Sequence, residues 1–275
     1  MSSPTTLSGV ELAAQINAET AARAKALPVR PTLATVLVGD DAGSRAYVRM
    51  KQRRCKEFGL GARHVEQPAS TTTAQLVAVL NDLSDDPGVH GILLQHPLPA
   101  QIDERVAFDA ITPEKDVDGT SSAAFAAAAL GQPGHRSCTP AGIVELLDHY
   151  GIELAGADVV IVGRSAILGK PLAAMLTARD ATVTVCHTRT QDLAAHTRRA
   201  DILVAAAGRP GLITTEIVKP GAVVIDAGFT PGDVAADAAA VAGAITPVPG
   251  GVGPMTVALL LRQTVDAATG IGARE

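Results

Sequence analysis

Short apolar runs rich in β-branched residues alternate with helical patterns along most of this 275-residue sequence. Each run has the length of one strand, and the stretches between the runs show the period of amphipathic helices. Strands that alternate with helices in this way predict parallel sheets, and therefore an α/β fold. Strands are expected over residues 32–38, 62–66, 89–95, 158–162, 182–187, 201–206 and 222–226, and helices over 44–58, 73–83 and 140–150.

The alternation is interrupted once, between residues 97 and 139. This stretch carries several prolines and the alanine-rich piece AAFAAAAL, and it predicts a connecting region. The alternation restarts after residue 140, with no repeat of sequence between the two halves. The simplest prediction is two α/β units in tandem, and 47% hydrophobic residues suffice for one large core or two modest ones.

Composition excludes several classes of partner. The chain has 2% aromatic residues and no Trp, which argues against single-stranded nucleic-acid binding by base stacking. A net charge of −5 gives no global attraction to phosphate polymers or anionic membranes. The N-terminus lacks a signal-peptide pattern, and no apolar run approaches the roughly 20 residues that span a bilayer. We expect a soluble, cytoplasmic protein with neither a nucleic-acid nor a membrane partner.

Cysteines and histidines give no metal or disulfide pattern. The three cysteines are Cys55, Cys138 and Cys186; they lie far apart and form no CxxC pair. The histidines are equally dispersed, so no metal site is expected.

A glycine-bearing turn joins the strand at 158–162 to the next helix. Gly163 and Gly169 enclose it, and Pro171 is tolerable only in the first turn of that helix. Small residues let the backbone approach a pyrophosphate, and the helix N-terminus stabilises its charge. The pattern is GxSxxxG rather than GxGxxG, so a plain tight turn remains an alternative. We interpret it as part of a Rossmann-type dinucleotide site.

The end of the following strand favours NADP over NAD. An NAD site usually places Asp or Glu there to bind the ribose 2′-hydroxyl, whereas this chain offers Thr188 and Arg189. Arginine pairs well with a 2′-phosphate. A solvated Arg189 is the alternative. Gly208, in the loop after the third strand of this half, lies where a dinucleotide crosses the edge of such a sheet.

Candidate chemistry in the first half begins with Tyr47 and Lys51, which are four residues apart and so share one helix face. A lysine beside an apolar pocket can exchange protons near neutral pH. Taken alone, the pair is more typical of a solvated lysine beside a packed tyrosine. Gln95 ends an apolar strand at the usual ligand edge of a parallel sheet, although it could be a loop cap. Asp116 and Asp118 are more typical of a solvated turn than of a site.

Eight segments in fixed order resemble the bifunctional methylenetetrahydrofolate dehydrogenase/methenyltetrahydrofolate cyclohydrolase family. The resemblance runs from about Leu33 to Val265, and the PVPGGVGPMT, DVDG and GRSxxxGxP strings are highly specific in that order. The segments are YVRMK (47–51), GILLQHPLP (91–99), PEKDVDG (113–119), SCTPAGIVELL (137–147), VVIVGRSAILGKP (159–171), CHTRT (186–190), VVIDAGF (223–229) and ITPVPGGVGPMT (245–256).

The resemblance implies NADP-dependent oxidation of 5,10-methylenetetrahydrofolate, followed by hydrolysis to 10-formyltetrahydrofolate, within one-carbon metabolism. By position, Lys51 matches the catalytic lysine that assists proton transfer as water attacks. Tyr47 matches the residue stacked on the folate ring, Gln95 the partner that orients the lysine, and Asp118 the carboxylate that pairs with the pterin. This agrees with the chemistry, because a carboxylate can accept from the pterin's N–H groups.

The same resemblance implies cofactor residues, an architecture and an assembly. The first unit is expected over residues 1–139, the Rossmann-type NADP-binding domain over 140–255, and a C-terminal helix over 256–275 that returns to the first unit. An active-site cleft is expected between the units, and a homodimer is implied. The cofactor residues are Gly163, Arg164, Ser165, Gly169, Thr188, Arg189 and Gly208, and the loop with Pro249, Gly250 and Gly251 is expected between cofactor and folate.

One segment departs from the family pattern. Many members read DGFHPxNxG after the aspartate, whereas this chain reads DGTSSAAF from Asp118, and Ser137 stands where PCTP begins with Pro. The departure bears on the local loop and on the balance of the two activities, and on none of the four residues assigned to chemistry. Two other functions stay open: a dehydrogenase of another small carbonyl or amine substrate, and a non-catalytic dinucleotide or folate sensor.

Overall fold

The computed structural model describes residues 3–270. The chain folds into two compact units. In chain order the elements are β1 (Thr5–Thr6), α1 (Val10–Ala26), β2 (Thr32–Val38), α2 (Ala42–Glu57), β3 (Gly61–Gln67), α3 (Thr73–Asp85), β4 (Gly91–Leu94), α4 (Glu104–Asp109), α5 (Ser122–Ala129), α6 (Cys138–His149), β5 (Asp158–Val162), α7 (Gly169–Thr177), β6 (Thr182–Cys186), α8 (Leu193–Thr197), β7 (Ile202–Ala205), β8 (Val223–Asp226), β9 (Ala244–Ile245) and α9 (Val252–Thr269).

The first unit, called here the three-stranded unit, comprises Gln15–Ser137 and the described chain from Val257 onward. Among the described residues its sheet has the order β3-β2-β4, and both pairings are parallel. The central strand β2 is buried along all but its first residue, as expected for a strand covered on both faces. The parallel α/β fold predicted for this half is therefore confirmed, with β4 ending at Leu94 instead of Gln95.

The segment between residues 97 and 139 is more regular than its prolines indicated. It contains α4 and α5, and a single 3-10 turn at Pro113–Lys115. Side chains cap both helices: Asp103 accepts from the N–H of Val106 at 3.1 Å, and Ser121 accepts from that of Ala124 at 3.1 Å. Such caps stabilise helices too short to show a clear period, which is why the period alone did not predict them.

The second unit, called here the six-stranded unit, comprises the described residues up to Ala14 and the segment Cys138–Thr256. Within the described chain its sheet has the order β1-β9-β8-β7-β5-β6, parallel throughout. Alternate residues of β5 enter two cores. Val159 and Ile161 pack with Leu172 of α7, whereas Val160 and Val162 belong to the core on the other face. Both faces are therefore covered, as in a Rossmann-type sheet.

The unit bounds differ from those expected at the N-terminus. Residues 1–139 were expected to form one unit, but the described residues up to Ala14 group with the six-stranded unit, because Thr5 and Thr6 pair with Ala244 and Ile245. The last helix begins at Val252 instead of residue 256, and from Val257 it belongs to the three-stranded unit. Residues 271–275 of the expected helix lie outside the described residues. None of the helices in residues 3–270 is long and apolar enough to cross a membrane.

Candidate active site

Helix α2 carries the first pair of candidate residues. Asp41 caps the helix by accepting from the N–H of Ser44 at 2.7 Å, and this hydrogen bond lowers the pKa of the Asp41 carboxyl. One turn further, Tyr47 is 41% exposed, whereas Lys51 is only 7% exposed. The Lys51 Nζ lies 6.0 Å from the centroid of the Tyr47 ring. The ring thus offers an exposed aromatic surface beside a buried ammonium group.

Gln95 holds the lysine from the neighbouring strand end. Lys51 Nζ donates to Gln95 Oε1 at 3.3 Å, and Gln95 Nε2 donates to the carbonyl of His96 at 2.7 Å. The backbone N–H of Gln95 continues the sheet by donating to Val36 at 2.9 Å. The amide is therefore fixed with its oxygen toward the lysine. Lys51 is therefore a buried residue bonded to Gln95, and not the solvated lysine that was the alternative.

The charge of Lys51 is not neutralised by an ion pair within residues 3–270, because no carboxylate there lies at ion-pair distance from its Nζ. Cys55, one turn further along α2, is fully buried, and burial raises the pKa of its thiol to about 12. The thiol is therefore uncharged at neutral pH. Lys51 thus presents a buried amine, held by a neutral amide, beside the exposed ring of Tyr47.

Asp118 lies on a separate turn of the same unit, and a buried neighbour shapes this turn. Asp116 is fully buried, which corrects its interpretation as part of a solvated turn. It accepts from the N–H and hydroxyl of Thr120 at 3.1 and 3.3 Å, and from the N–H of Ser121 at 2.8 Å. Desolvation is the main cause that raises the pKa of the Asp116 carboxyl, and the charge of Asp118 raises it further. Asp118 itself is half-buried.

Gln263 of α9 supports the same turn from its other side. Its Nε2 donates to the carbonyls of Val117 at 2.8 Å and Arg136 at 2.9 Å, and its Oε1 accepts from the N–H of Arg136 at 2.8 Å. Gly119 has φ of +65°, and a side chain there would overlap the backbone of Arg136. The segment that departs from the family pattern is therefore tied down by hydrogen bonds of its own.

In the six-stranded unit, close backbone packing shapes the turn after β5. Gly163 has φ of +141°, and its N–H donates to Cys186 at 2.9 Å. A Cβ at Gly163 would overlap the carbonyl of Ala206, and one at Gly169 would overlap that of Gly163. Ser165 accepts from the N–H of Leu168 at 3.1 Å, and Pro171 lies in the first turn of α7. Backbone packing therefore leaves no room for other side chains at the two glycines.

Two exposed guanidinium groups lie near this turn in sequence. Arg164 is exposed within the turn, and Arg189 is exposed after β6, next to exposed Thr188. The backbone around Arg189 is ordered by its own N–H, which donates to His187 Nδ1 at 3.1 Å. Neither guanidinium forms an ion pair in the part of the chain that the structure describes, so both are available to an anionic ligand.

Strand order identifies the ligand edge of this sheet. From β5 the chain crosses to β6 on one side, and it then returns to β7 on the other. Ligands of such sheets bind at the carboxyl ends of the two strands where the direction reverses. Gly163 follows β5, and Gly208, with φ of +63°, follows β7. The structure thus brings both predicted glycines to this edge. It also places there a buried residue that was not selected from the sequence, Asp233, which bonds to the Gly208 N–H.

The loop with Pro249, Gly250 and Gly251 is part of the six-stranded unit. Gly250 has φ of +110° and its carbonyl accepts from the N–H of Gly9 at 2.9 Å, while the N–H of Gly251 donates to Pro247 at 2.8 Å. Gly250 and Gly251 are therefore both held by backbone hydrogen bonds. Its expected place between cofactor and folate stays a prediction.

None of Cys55, Cys138 and Cys186 forms a disulfide, and all three are buried. In residues 3–270 no group of His, Cys, Asp or Glu could hold a metal ion.

Comparisons with known proteins match both halves of the chain. Residues 7–118 match the catalytic domain of tetrahydrofolate dehydrogenase/cyclohydrolase, and residues 137–271 match the NAD(P)-binding domain of the same family. A relative from Streptomyces avermitilis, Bifunctional protein FolD 1, is 58% identical over 270 residues, which cover 95% of this chain and 94% of the relative.

Solved structures agree with this match. The bifunctional enzyme FolD from Campylobacter jejuni, a methylenetetrahydrofolate dehydrogenase/cyclohydrolase, superposes with a TM-score of 0.94 at 40% identity, over 97% of this chain and 99% of that one. The Trypanosoma brucei dehydrogenase-cyclohydrolase, crystallised with NADP and an inhibitor, superposes with a TM-score of 0.93 at 36% identity, over 98% of this chain and 99% of that one. The chain belongs to the tetrahydrofolate dehydrogenase/cyclohydrolase family.

Proposed function

We propose that the protein oxidises 5,10-methylenetetrahydrofolate with NADP and hydrolyses the product, 5,10-methenyltetrahydrofolate, to 10-formyltetrahydrofolate. The observation that carries the proposal is the buried Lys51, bonded to Gln95 beside the exposed ring of Tyr47, in a chain that belongs to this family. Relatives at 50–60% identity over most of the chain bear the name of the bifunctional protein. The activity belongs to one-carbon metabolism.

The cofactor fits the residues of the six-stranded unit. The N-terminus of α7, which follows the glycine turn, suits a pyrophosphate, and Arg189 carries an exposed guanidinium for a 2′-phosphate. We assign Arg164, Ser165, Thr188 and Gly208 to the same site. NADP, when bound, supplies the acceptor for the hydride that leaves the methylene carbon. The structure from Trypanosoma brucei, which contains NADP, supports this choice of cofactor.

The hydrolytic step uses the three-stranded unit. A water molecule attacks the methenyl carbon, a C–O bond forms, and the bond from that carbon to N5 breaks while the formyl group stays on N10. The water gives up two protons, one of which ends on N5 and the other in solvent. Lys51 is placed to relay a proton because its Nζ is buried, uncompensated by a carboxylate and held by Gln95. Tyr47 stacks on the folate ring in this proposal.

Recognition of the pterin falls to Asp118, whose carboxylate can accept from the N–H groups of the aminopyrimidine. Asp116 and Gln263 support this assignment because they fix the turn that carries Asp118. We assign Pro249, Gly250 and Gly251 to the substrate as well. We further propose that the three-stranded unit binds folate and the six-stranded unit binds NADP. We also propose that the protein is a homodimer in the cytoplasm, with neither a nucleic-acid nor a membrane partner.

One steady-state experiment tests the proposal. Purified protein is assayed for reduction of NADP and, in parallel, of NAD with methylenetetrahydrofolate, and for hydrolysis of methenyltetrahydrofolate. We expect both reactions, with NADP preferred. Absence of both activities would refute the proposed function. A titration with tetrahydrofolate then separates a dehydrogenase of another small substrate, which would not bind folate, from a sensor, which would bind it without turnover.

A further inference from the structure

Two buried carboxyl groups lie at the ligand edge of the six-stranded sheet. Asp226 is the last residue of β8 and is 4% exposed; Asp233 follows seven residues later and is 1% exposed. The proposed reaction uses neither of them. Carboxyl groups are rarely this buried unless they are paired, so their partners indicate what they do.

Asp233 holds the loop that follows β7. Its Oδ2 accepts from the backbone N–H of Ala207 at 2.6 Å and from that of Gly208 at 2.8 Å. Gly208 is one of the residues assigned to NADP. Because a partly buried N–H without a partner is costly, the carboxyl oxygen fixes the position of both peptide groups. It also occupies two N–H groups that could otherwise bind a phosphate.

This loop in turn supports the turn that follows β5. Ala206, directly before the two bonded peptides, lies so close to Gly163 that a Cβ on Gly163 would overlap the Ala206 carbonyl. The N–H of Ala206 donates to Val162 at 2.8 Å, which joins the ends of the two strands. A shift of residues 206–208 would therefore be transmitted to the turn assigned to the pyrophosphate.

Asp226 in turn fixes Asp233. Its Oδ1 accepts from the N–H of Gly228 at 2.8 Å and from that of Asp233 at 3.0 Å, and its Oδ2 accepts from Val234 at 3.0 Å. At Gly228 a Cβ would lie 2.7 Å from the Asp233 nitrogen, so the return of the chain to Asp233 needs glycine there.

We propose that Asp233 is a positioning residue for NADP: it does not touch the cofactor, but it sets the loop 206–208 against which the turn at Gly163 packs. Asp226 holds Asp233 in place for this task. The inference rests on the proposed binding of NADP to the six-stranded unit. It implies that the phosphates are held at the start of α7 and not by the N–H groups of the loop after β7.

The test compares Asp233→Ala and Asp233→Asn with Asp237→Asn, a carboxyl-to-amide change at an exposed residue of the same unit. Binding is measured by titration of NADPH fluorescence, and kinetics by NADP reduction, both well below the melting transition. We expect Asp233→Ala to raise the Kd for NADPH and the KM for NADP about tenfold or more, since two N–H groups lose their partner. Asp233→Asn keeps a weaker, uncharged acceptor, so it should raise the same Kd and KM only about threefold. Asp237→Asn should match the wild type.

A split between KM and kcat distinguishes positioning from mere stability. We expect kcat at saturating NADP to stay within about twofold, because Asp233 acts on binding. Wild-type Kd in folded Asp233→Ala would overturn the inference; if that variant does not fold, wild-type Kd in Asp233→Asn would do so. A wild-type protein that binds NADPH but has neither activity refutes the proposed function alone, and one that binds no NADPH refutes both.

Discussion

The two candidate sites depend on different parts of the polypeptide. In the three-stranded unit the chemistry rests on side chains, since Lys51, Gln95 and Tyr47 are brought together by a helix and a strand end. In the six-stranded unit the turn assigned to the pyrophosphate rests on the backbone, since Gly163 and Gly169 have no side chain and leave no space for one. A side-chain site can lose its function while the fold survives. A backbone site loses shape and function together, and substitutions can test this difference.

The largest effect is expected from Lys51→Ala. Removal of a positioned proton-transfer group typically costs two to four orders of magnitude, so we expect cyclohydrolase kcat to fall by about a thousandfold while NADPH still binds. The measurement is the loss of methenyltetrahydrofolate absorbance, with NADPH titration alongside. Lys56→Ala is the matched control, because Lys56 is exposed on the same helix. An active Lys51→Ala enzyme would remove Lys51 from the mechanism.

A smaller but broader effect is expected from Gly163→Ala. The new methyl group would overlap the Ala206 carbonyl at a φ that is nearly restricted to glycine, and such strain is worth about 1–3 kcal/mol. We expect NADPH affinity to fall about thirtyfold and the melting temperature to fall as well.

Gly156→Ala provides the comparison for this prediction. Gly156 has φ of +75° but open space around a Cβ, so it should lose stability and keep NADPH affinity. Equal binding losses in the two variants would mean that strain, and not the contact at Ala206, governs the site.

The smallest effect is expected from Arg189→Ala. Loss of a charge-assisted contact to the 2′-phosphate should raise the KM for NADP about tenfold. The effect is this small because Arg189 is exposed, so solvent screens its charge. The KM for NAD should stay within about twofold, because NAD has no 2′-phosphate. The measurement is the ratio of the two KM values. Lys219→Ala serves as the control at the amino end of β8, where Lys219 pairs with Asp201. An equal rise in KM for both cofactors would mean that Arg189 does not contact the 2′-phosphate.

The sequence predicted the parts of the fold that repeat along the chain. Strands β2 and β5 are β-branched runs of five residues or more, and both have the predicted bounds. By contrast, β1 and β9 have two residues each, too few for a period, and their pairing joins distant parts of the chain. Such a contact depends on three-dimensional packing that no local pattern contains.

Some residues of the candidate sites could likewise be predicted from the sequence, and others could not. Lys51 and Gln95 could be selected because their residue types and spacing indicate chemistry, although their burial could not. Asp116 was assigned to a solvated turn, and Asp233 was not selected at all, because both bond to backbone N–H groups. Every residue type but proline offers such an N–H, so the amino-acid identity of the partners carries no signal. An aspartate that follows a strand such as VVID and a short glycine-rich loop is the one hint that the sequence contains.

The pairing of β1 with β9 also affects how the protein is made. Thr5 and Thr6 are translated roughly 240 residues before their partners Ala244 and Ile245. At about 5–20 residues per second, this interval is on the order of tens of seconds. The nascent three-stranded unit has time to form most of its sheet, whereas the six-stranded sheet cannot be completed until Ala244 and Ile245 have been translated. Until β9 is made, β1 has no partner strand. Its two exposed threonines present little apolar surface that could aggregate or bind chaperones.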